Sequence, residues 1–164
     1  MDYTVLLKSL ETLSMAQAIS EGEVLFPWLE SIHVLAIVLV VGVIATVDLR
    51  LLGWASKNRA VNQLSTELLP LTWIAFAVAA ITGALLFISK ANVYGHNFFF
   101  IGKMVLLVLA GLNMAYFHRV TWPGVAHWGE TPLTTPAAAK VAGGLSLLFW
   151  VTIVAFGRWI GFTT

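Results

Sequence analysis

Four stretches of the chain are almost wholly apolar, with polar residues between them or at isolated points inside them. They cover residues 25–53, 66–90, 97–120 and 137–162. An α-helix rises about 1.5 Å per residue and a bilayer's hydrocarbon core is about 30 Å thick, so about 20 apolar residues cross it. The pattern predicts four transmembrane helices. Residues 2–19 read differently. Val5, Leu6, Leu10 and Leu13 recur at helical spacing with Lys8, Glu11 and Thr12 between them. That predicts an amphipathic helix on the membrane surface or on a partner subunit. Ser20, Glu21, Gly22 and Glu23 break it. The expected fold is all-α: an interfacial helix over residues 1–20 and an integral membrane four-helix bundle over 21–164.

Local signals set the expected boundaries. Thr66 reads as the N-cap of the second span, which places Pro70 near its first turn, where proline is tolerated. The short connection ANVYGHN predicts that the second and third spans are antiparallel neighbours. Ala79, Ala80, Gly83 and Ala84, and then Gly143 and Gly144, offer small surfaces for close helix packing.

Composition narrows the class. Of 164 residues, 59% are hydrophobic and only 10% are charged, against about 25% charged in soluble domains. A formal charge of +1 gives no reason to expect nucleic acid. The absence of cysteine excludes thiolate metal sites, c-type haem attachment and disulfides. Residues 1–20 lack the pattern of a cleavable signal. Arg50, Lys57 and Arg59 flank the first loop, and Arg119 and Lys140 the third; Lys8, Lys90 and Arg158 lie on the opposite side. The positive-inside rule then predicts cytoplasmic loops one and three, with both termini periplasmic, in a bacterial inner (cytoplasmic) membrane. Trp28 and Trp159 would form one aromatic belt, and Trp54, Trp122 and Trp128 the other.

Ionisable residues inside a span are costly and tend to face a bundle interior. At about 100° per residue, Glu30 and Asp48 share an azimuth and His33 lies about 60° away, so all three are expected on one interior face. Arg50 points elsewhere and is expected to snorkel. By depth, His33, Lys103 and Arg158 form an outer polar layer, with Glu30 and His96 just above it. Asp48, Arg50, Asn113, His118 and Arg119 form an inner one, with His127 in the loop beyond. Buried imidazole points to haem, a transition metal or a proton path. The expected cofactor is haem b, one or two copies. His33 would be an axial ligand, His96 or His118 a second, and Lys103 and Arg158 the partners of propionates. Glu30 or Asp48 would orient an imidazole or relay a proton. Each residue also has a structural reading: a core histidine satisfied by a neighbour, cations snorkelling to headgroups, charges capping a helix end.

The stretches HVLAIVLVVGVIATVDLRLLG, KMVLLVLAGLNMAYFHR and GRWI resemble an uncharacterised family of small bacterial integral membrane proteins. A His opening the first span and a Lys opening a later one are similar to the membrane haem-containing protoporphyrinogen oxidase family. That likeness implies a haem ligand at His33 and a functional Lys103. The tryptophan and aromatic run that follow the His in that family are missing here. The first span is also like that of the copper-resistance membrane domain family. The expected function is that of a b-type cytochrome-like protein passing electrons between the quinone pool and a periplasmic redox partner. One alternative is copper or metal handling through His33, His96, Met104 and Met114. Another is a non-redox accessory subunit of a larger membrane complex or homo-oligomer, its polar layers joined by salt bridges such as Glu30 with Lys103.

Overall fold

A computed structural model describes residues 3–55, 60–128 and 135–163, and only the backbone of Ala126 and His127. Expectations resting on Lys57, Arg59 and the His127 ring lie outside the described residues. All regular structure among those residues is helical. In order it comprises α1 (Tyr3–Glu11), α2 (Ser14–Glu21), α3 (Leu25–Leu52), α4 (Val61–Ser89), α5 (Ala91–His96), α6 (Phe98–Tyr116) and α7 (Ala137–Thr163). Helices α3, α4 and α7, and α6 with its continuation to Val125, are each long and apolar enough to cross a membrane. Their outward faces carry exposed Leu35, Ile74, Val108 and Leu148, as a lipid-facing surface requires. The chain is a multi-pass helical membrane protein.

The helix ends follow local chemistry in some places and packing in others. Gly53 stops α3 in the left-handed region (φ 76°), where its N–H reaches the Arg50 carbonyl; glycine enters that region without a Cβ penalty. Asn97 starts α6 by accepting the Phe99 and Phe100 N–H groups, and its amide donates to Thr163 at 2.9 Å, tying the start of α6 to the end of α7. Helix α4, by contrast, begins at Val61 rather than Thr66. Thr66 is no cap: its hydroxyl donates to the Asn62 carbonyl inside the helix. The extra turn forms because Val61 and Leu64 are buried, Val61 in a cluster with Leu51, Phe117, Ala139 and Ala142. Pro70 therefore lies well inside α4. Beyond Tyr116 the third span widens into a π-turn (Phe117–Thr121) and tightens into a 3₁₀ segment (Trp122–His127). Trp122 and Trp128 pack on the same cluster, while Trp28, Trp54 and Trp159 are exposed, as belt residues are.

Helix α3 packs along α4, α6 along α7, and α3 against α7. The spans thus run in the order α4, α3, α7, α6, and the backbones of α4 and α6 do not pack on each other. The second and third spans are neighbours that meet at their ends and not along their length: α4 touches the 3₁₀ segment that continues α6. Helix α5 separates their ends, and the two meet there through the stacked rings of Phe87 and Phe100 at 5.1 Å. The N-terminal segment is two short helices rather than one. Along α1, Tyr3 donates to the Gly95 carbonyl, Leu7 packs on Gly95, and Glu11 accepts the Asn92 N–H. That i, i+4, i+8 stripe docks α1 on α5.

Candidate functional site

The expected outer layer has its residues near the end that carries both termini. His33 is half-buried on α3 and turned toward α4, its Nδ1 3.0 Å from Thr82 Oγ1. Thr82 has one proton and donates it to the Val78 carbonyl at 2.7 Å. The His33 Nδ1 therefore carries the N–H, and neutral His33 keeps a lone pair on Nε2. The ring lies on Gly83: a Cβ there would come within 2.8 Å of His33 Cε1. Lys103, on α6, lies beside Gly157 of α7 and within electrostatic range of His33. These two residues are brought together.

The other outer residues are not. Arg158 is exposed, its guanidinium 4.7 Å from the Phe162 ring centroid on α7's own surface. It lies one position, about 100°, past the Gly157 that faces Lys103. His96 is exposed, held by the Asn92 carbonyl at 2.8 Å and edge-on to Tyr3. Glu30 is exposed, beside Tyr94, whose phenol is raised by burial and by the Glu30 charge. Glu30 and Asp48 do share an azimuth, but 18 residues separate them by about 27 Å along the axis, so they meet different neighbours. His118 lies toward the other end of the bundle, about 22 Å along the third span from Lys103. It is not brought to His33 as a second ligand. Among the described residues no three His, Cys, Asp or Glu side chains gather as a metal site. His118 is too far from His33 to share a haem with it, and His33 presents a ligand-competent Nε2.

The inner layer is where the structure converges. A cavity of about 220 Å³ lies between α3, α4, α6 and α7. Its walls are apolar: Val40, Ile44 and Val47 from α3, Leu69 and Phe76 from α4, Leu107 from α6. Three of the four helix sides around it are closed by packing, and the side between α4 and α6 is the loose one. Trp73, Phe76, Met114 and His118 flank that side and are exposed, while Asp48, Ser65, Ala110 and Gly143 line the cavity from buried positions. The cavity is thus apolar and open toward lipid, with a polar floor.

Asp48 dominates that floor. It is 6% exposed, and its Oδ2 has no hydrogen-bond partner. Ser146 of α7 lines the cavity near the Asp48 carboxyl. A Cβ at Gly143 would stand 3.3 Å from the Asp48 carbonyl and 3.2 Å from Leu51 Cβ. Glycine thus lets α7 close on α3 and bring Ser146, one turn on, to Asp48. Asn113 crosses from α6 to donate to the Ala142 carbonyl at 3.0 Å. His118 Nδ1 bonds the Met114 carbonyl at 3.0 Å, and its ring stacks on Trp122. Arg50 is 7% exposed rather than snorkelling, because the last turn of α3 lies inside the packed end cluster.

Asp48 and His118 are thus cavity residues, as their inner placement suggested. The sequence reading missed Ser65, Thr72, Ser146 and Thr82. Small hydroxyls in spans are unremarkable singly, and only the spacing of Ser146 from Gly143 hinted at one shared face. The copper alternative's residues are dispersed: Met104 is exposed on α6 and Met114 flanks the cavity, toward the end opposite His33 and His96.

No curated protein and no solved structure matches the chain. A family model described as "Family of unknown function (DUF6644)" matches residues 14–163. The apolar spans and buried polar positions described above all fall within those residues, and the chain belongs to this family of unknown function, DUF6644.

Proposed function

We propose that this membrane protein takes a lipid-soluble ligand of the quinone class from the bilayer into the cavity among α3, α4, α6 and α7, with Asp48 binding its polar head. The carrying observation is Asp48 itself: a carboxylate 94% removed from solvent with one oxygen unpartnered, lining an apolar cavity that opens between two helices. A buried acceptor left unmade costs about 1–3 kcal/mol, so the site is tolerable in a protein that gains from a ligand there. Ligand sites are commonly apolar cavities with a few convergent polar groups. An apolar cavity of about 150 Å³ takes a benzene ring, so this one accommodates a substituted ring with its tail leaving between α4 and α6. The aromatic and methionine rim suits such a ring.

The test is binding of short-tailed quinone-class compounds to the protein in nanodiscs, followed by quenching of Trp73 and Trp150, which line the cavity. A Cβ at Gly111 meets nothing within 4 Å, so Gly111→Leu fills the cavity without a backbone clash. Saturable quenching that Gly111→Leu weakens by about tenfold or more supports the reading; quenching untouched by it refutes the cavity as the site.

A second reading keeps a redox centre at the opposite end, with haem b on His33 passing electrons between the quinone pool and a partner outside. What favours it is the tautomer: Thr82 Oγ1 accepts from the His33 Nδ1–H and leaves Nε2 free, the arrangement that orients metal-bound histidines. Lys103 is a cation within electrostatic range of that ring. Oxidised and dithionite-reduced visible spectra of wild type and His33→Ala decide it. A Soret band lost in the variant supports haem; a colourless protein from haem-sufficient cells refutes it.

A further inference from the structure

The cavity holds both donors and acceptors, and the buried polar atom among them that lacks a partner bears on which form of a ligand it holds. The Thr72 hydroxyl has given its proton to the Leu68 carbonyl at 3.1 Å, so it turns lone pairs to the cavity. His118 Nδ1 faces the Met114 carbonyl, which only accepts. The N–H is therefore on Nδ1, and neutral His118 offers a lone pair at Nε2. Ser146, near Asp48, adds one hydroxyl. Asp48 Oδ2 is an unpartnered acceptor. Asn113 has spent one amide N–H on the Ala142 carbonyl and keeps one N–H and its Oδ1. Ser65 adds one hydroxyl. Trp73 and Trp150, also lining the cavity, each add an indole N–H. Among these groups the buried oxygen left without a partner is Asp48 Oδ2.

We propose, resting on the reading of this cavity as a quinone-class site, that it selects the hydroxyl-bearing, reduced form: a lipid-soluble hydroquinone donating an O–H to Asp48 Oδ2. The matching quinone has carbonyls only. Placed in the same cavity, it sets lone pairs against Asp48, Thr72 and His118 and leaves the buried carboxylate oxygen unmade. Sites built to bond a ligand O–H reject the analogue lacking it, because their own polar groups stay unpaired. The selected species is the same molecule with two more protons and two more electrons, so the site would read the redox state of the membrane pool. Binding alone transfers no electron.

The experiment uses the full chain in nanodiscs under anaerobic, dithionite-reduced or oxidised conditions, with dissociation constants measured by calorimetry for four probes: a decyl-tailed hydroquinone, the matching quinone, the hydroquinone's dimethyl ether and a decylammonium ion. The expected result is hydroquinone binding at least about tenfold tighter than quinone or dimethyl ether, since leaving a buried acceptor unmade costs about that factor. Asp48→Asn, whose amide donates as well as accepts, should shrink or invert the preference. Should that variant not fold, the four-probe ranking on wild type still decides. Equal affinity for hydroquinone and quinone overturns the redox selectivity and leaves the cavity reading intact. Decylammonium binding as tightly as hydroquinone overturns it in favour of a cation site. Binding of none of the probes overturns the cavity reading and this inference with it.

Discussion

Replacing Asp48 separates a ligand-binding residue from a structural one, because the two roles predict opposite effects on stability. If Asp48 were a strut, its removal would break a satisfied buried network and cost about 3–5 kcal/mol, as losing one partner of a buried charged pair does. The geometry says otherwise. Oδ2 has no partner and the residue is 6% exposed. Its desolvation is then uncompensated, at about 1–3 kcal/mol for such a group. Asp48→Val removes that cost. It also removes the polar neighbour of Ser146, a loss of at most about 1 kcal/mol, the value of one ordinary hydrogen bond. The expected net change is between neutral and about 2 kcal/mol of stabilisation, with ligand binding lost. Stability is read from the intrinsic fluorescence of the seven tryptophans on heating in detergent, since the chain has no cysteine for a thiol dye. Adding ligand at about 100 times its dissociation constant should stabilise wild type by about 2.7 kcal/mol and leave Asp48→Val unmoved. Destabilisation of Asp48→Val by more than about 2 kcal/mol would refute the reasoning.

Three further outcomes are expected. Gly83→Ala drives a Cβ to 2.8 Å from His33 Cε1, whereas Gly42→Ala meets nothing within 4 Å; thermal melts should show about 1–3 kcal/mol lost in the first and little change in the second, and equal effects would contradict the packing described. Asn97→Ala removes two capping bonds and the tie to Thr163, at an expected cost of about 0.5–2 kcal/mol; an Asn97→Asp melt indistinguishable from wild type would limit the effect to the cap, because aspartate keeps the cap but not the amide donor. The Tyr94 phenol lies above its ordinary value of 10.0 through burial first and the Glu30 charge second. The unfolded chain therefore ionises there first, and stability falls as pH rises beyond about 10. Glu30→Gln should lower the Tyr94 midpoint without fully restoring it, measured by tyrosinate absorbance in a background with Tyr3 and Tyr116 changed to Phe; no movement would place Glu30 out of range.

Much of the bundle was legible one residue at a time. Four apolar runs determine four spans because lipid admits only chains whose backbone bonds close internally. Gly53 ends α3 because a left-handed residue after an apolar run favours glycine. The separation of the ionisable residues into two depths follows from helical rise alone, and the far layer is where the cavity lies. Azimuth was less reliable. Glu30 and Asp48 share one, yet one is exposed and the other is buried, since burial depends on which helix stands opposite at each level. The start of α4 was misread because Val61 and Leu64 are drawn into a cluster built by residues remote in sequence, which outweighs the capping preference of Thr66. The sequence by itself thus determined the class, the spans and the depth of each charge. Only the tertiary structure decided that α4 and α6 stand apart, that Ser146 and Asn113 reach Asp48's cavity, and that one carboxylate oxygen is left unpartnered. The physical reason is that a helix's neighbours are chosen by packing between segments far apart in the chain, through close approaches such as Gly143 on Leu51 and Gly83 on His33, and no local periodicity records which surfaces will meet.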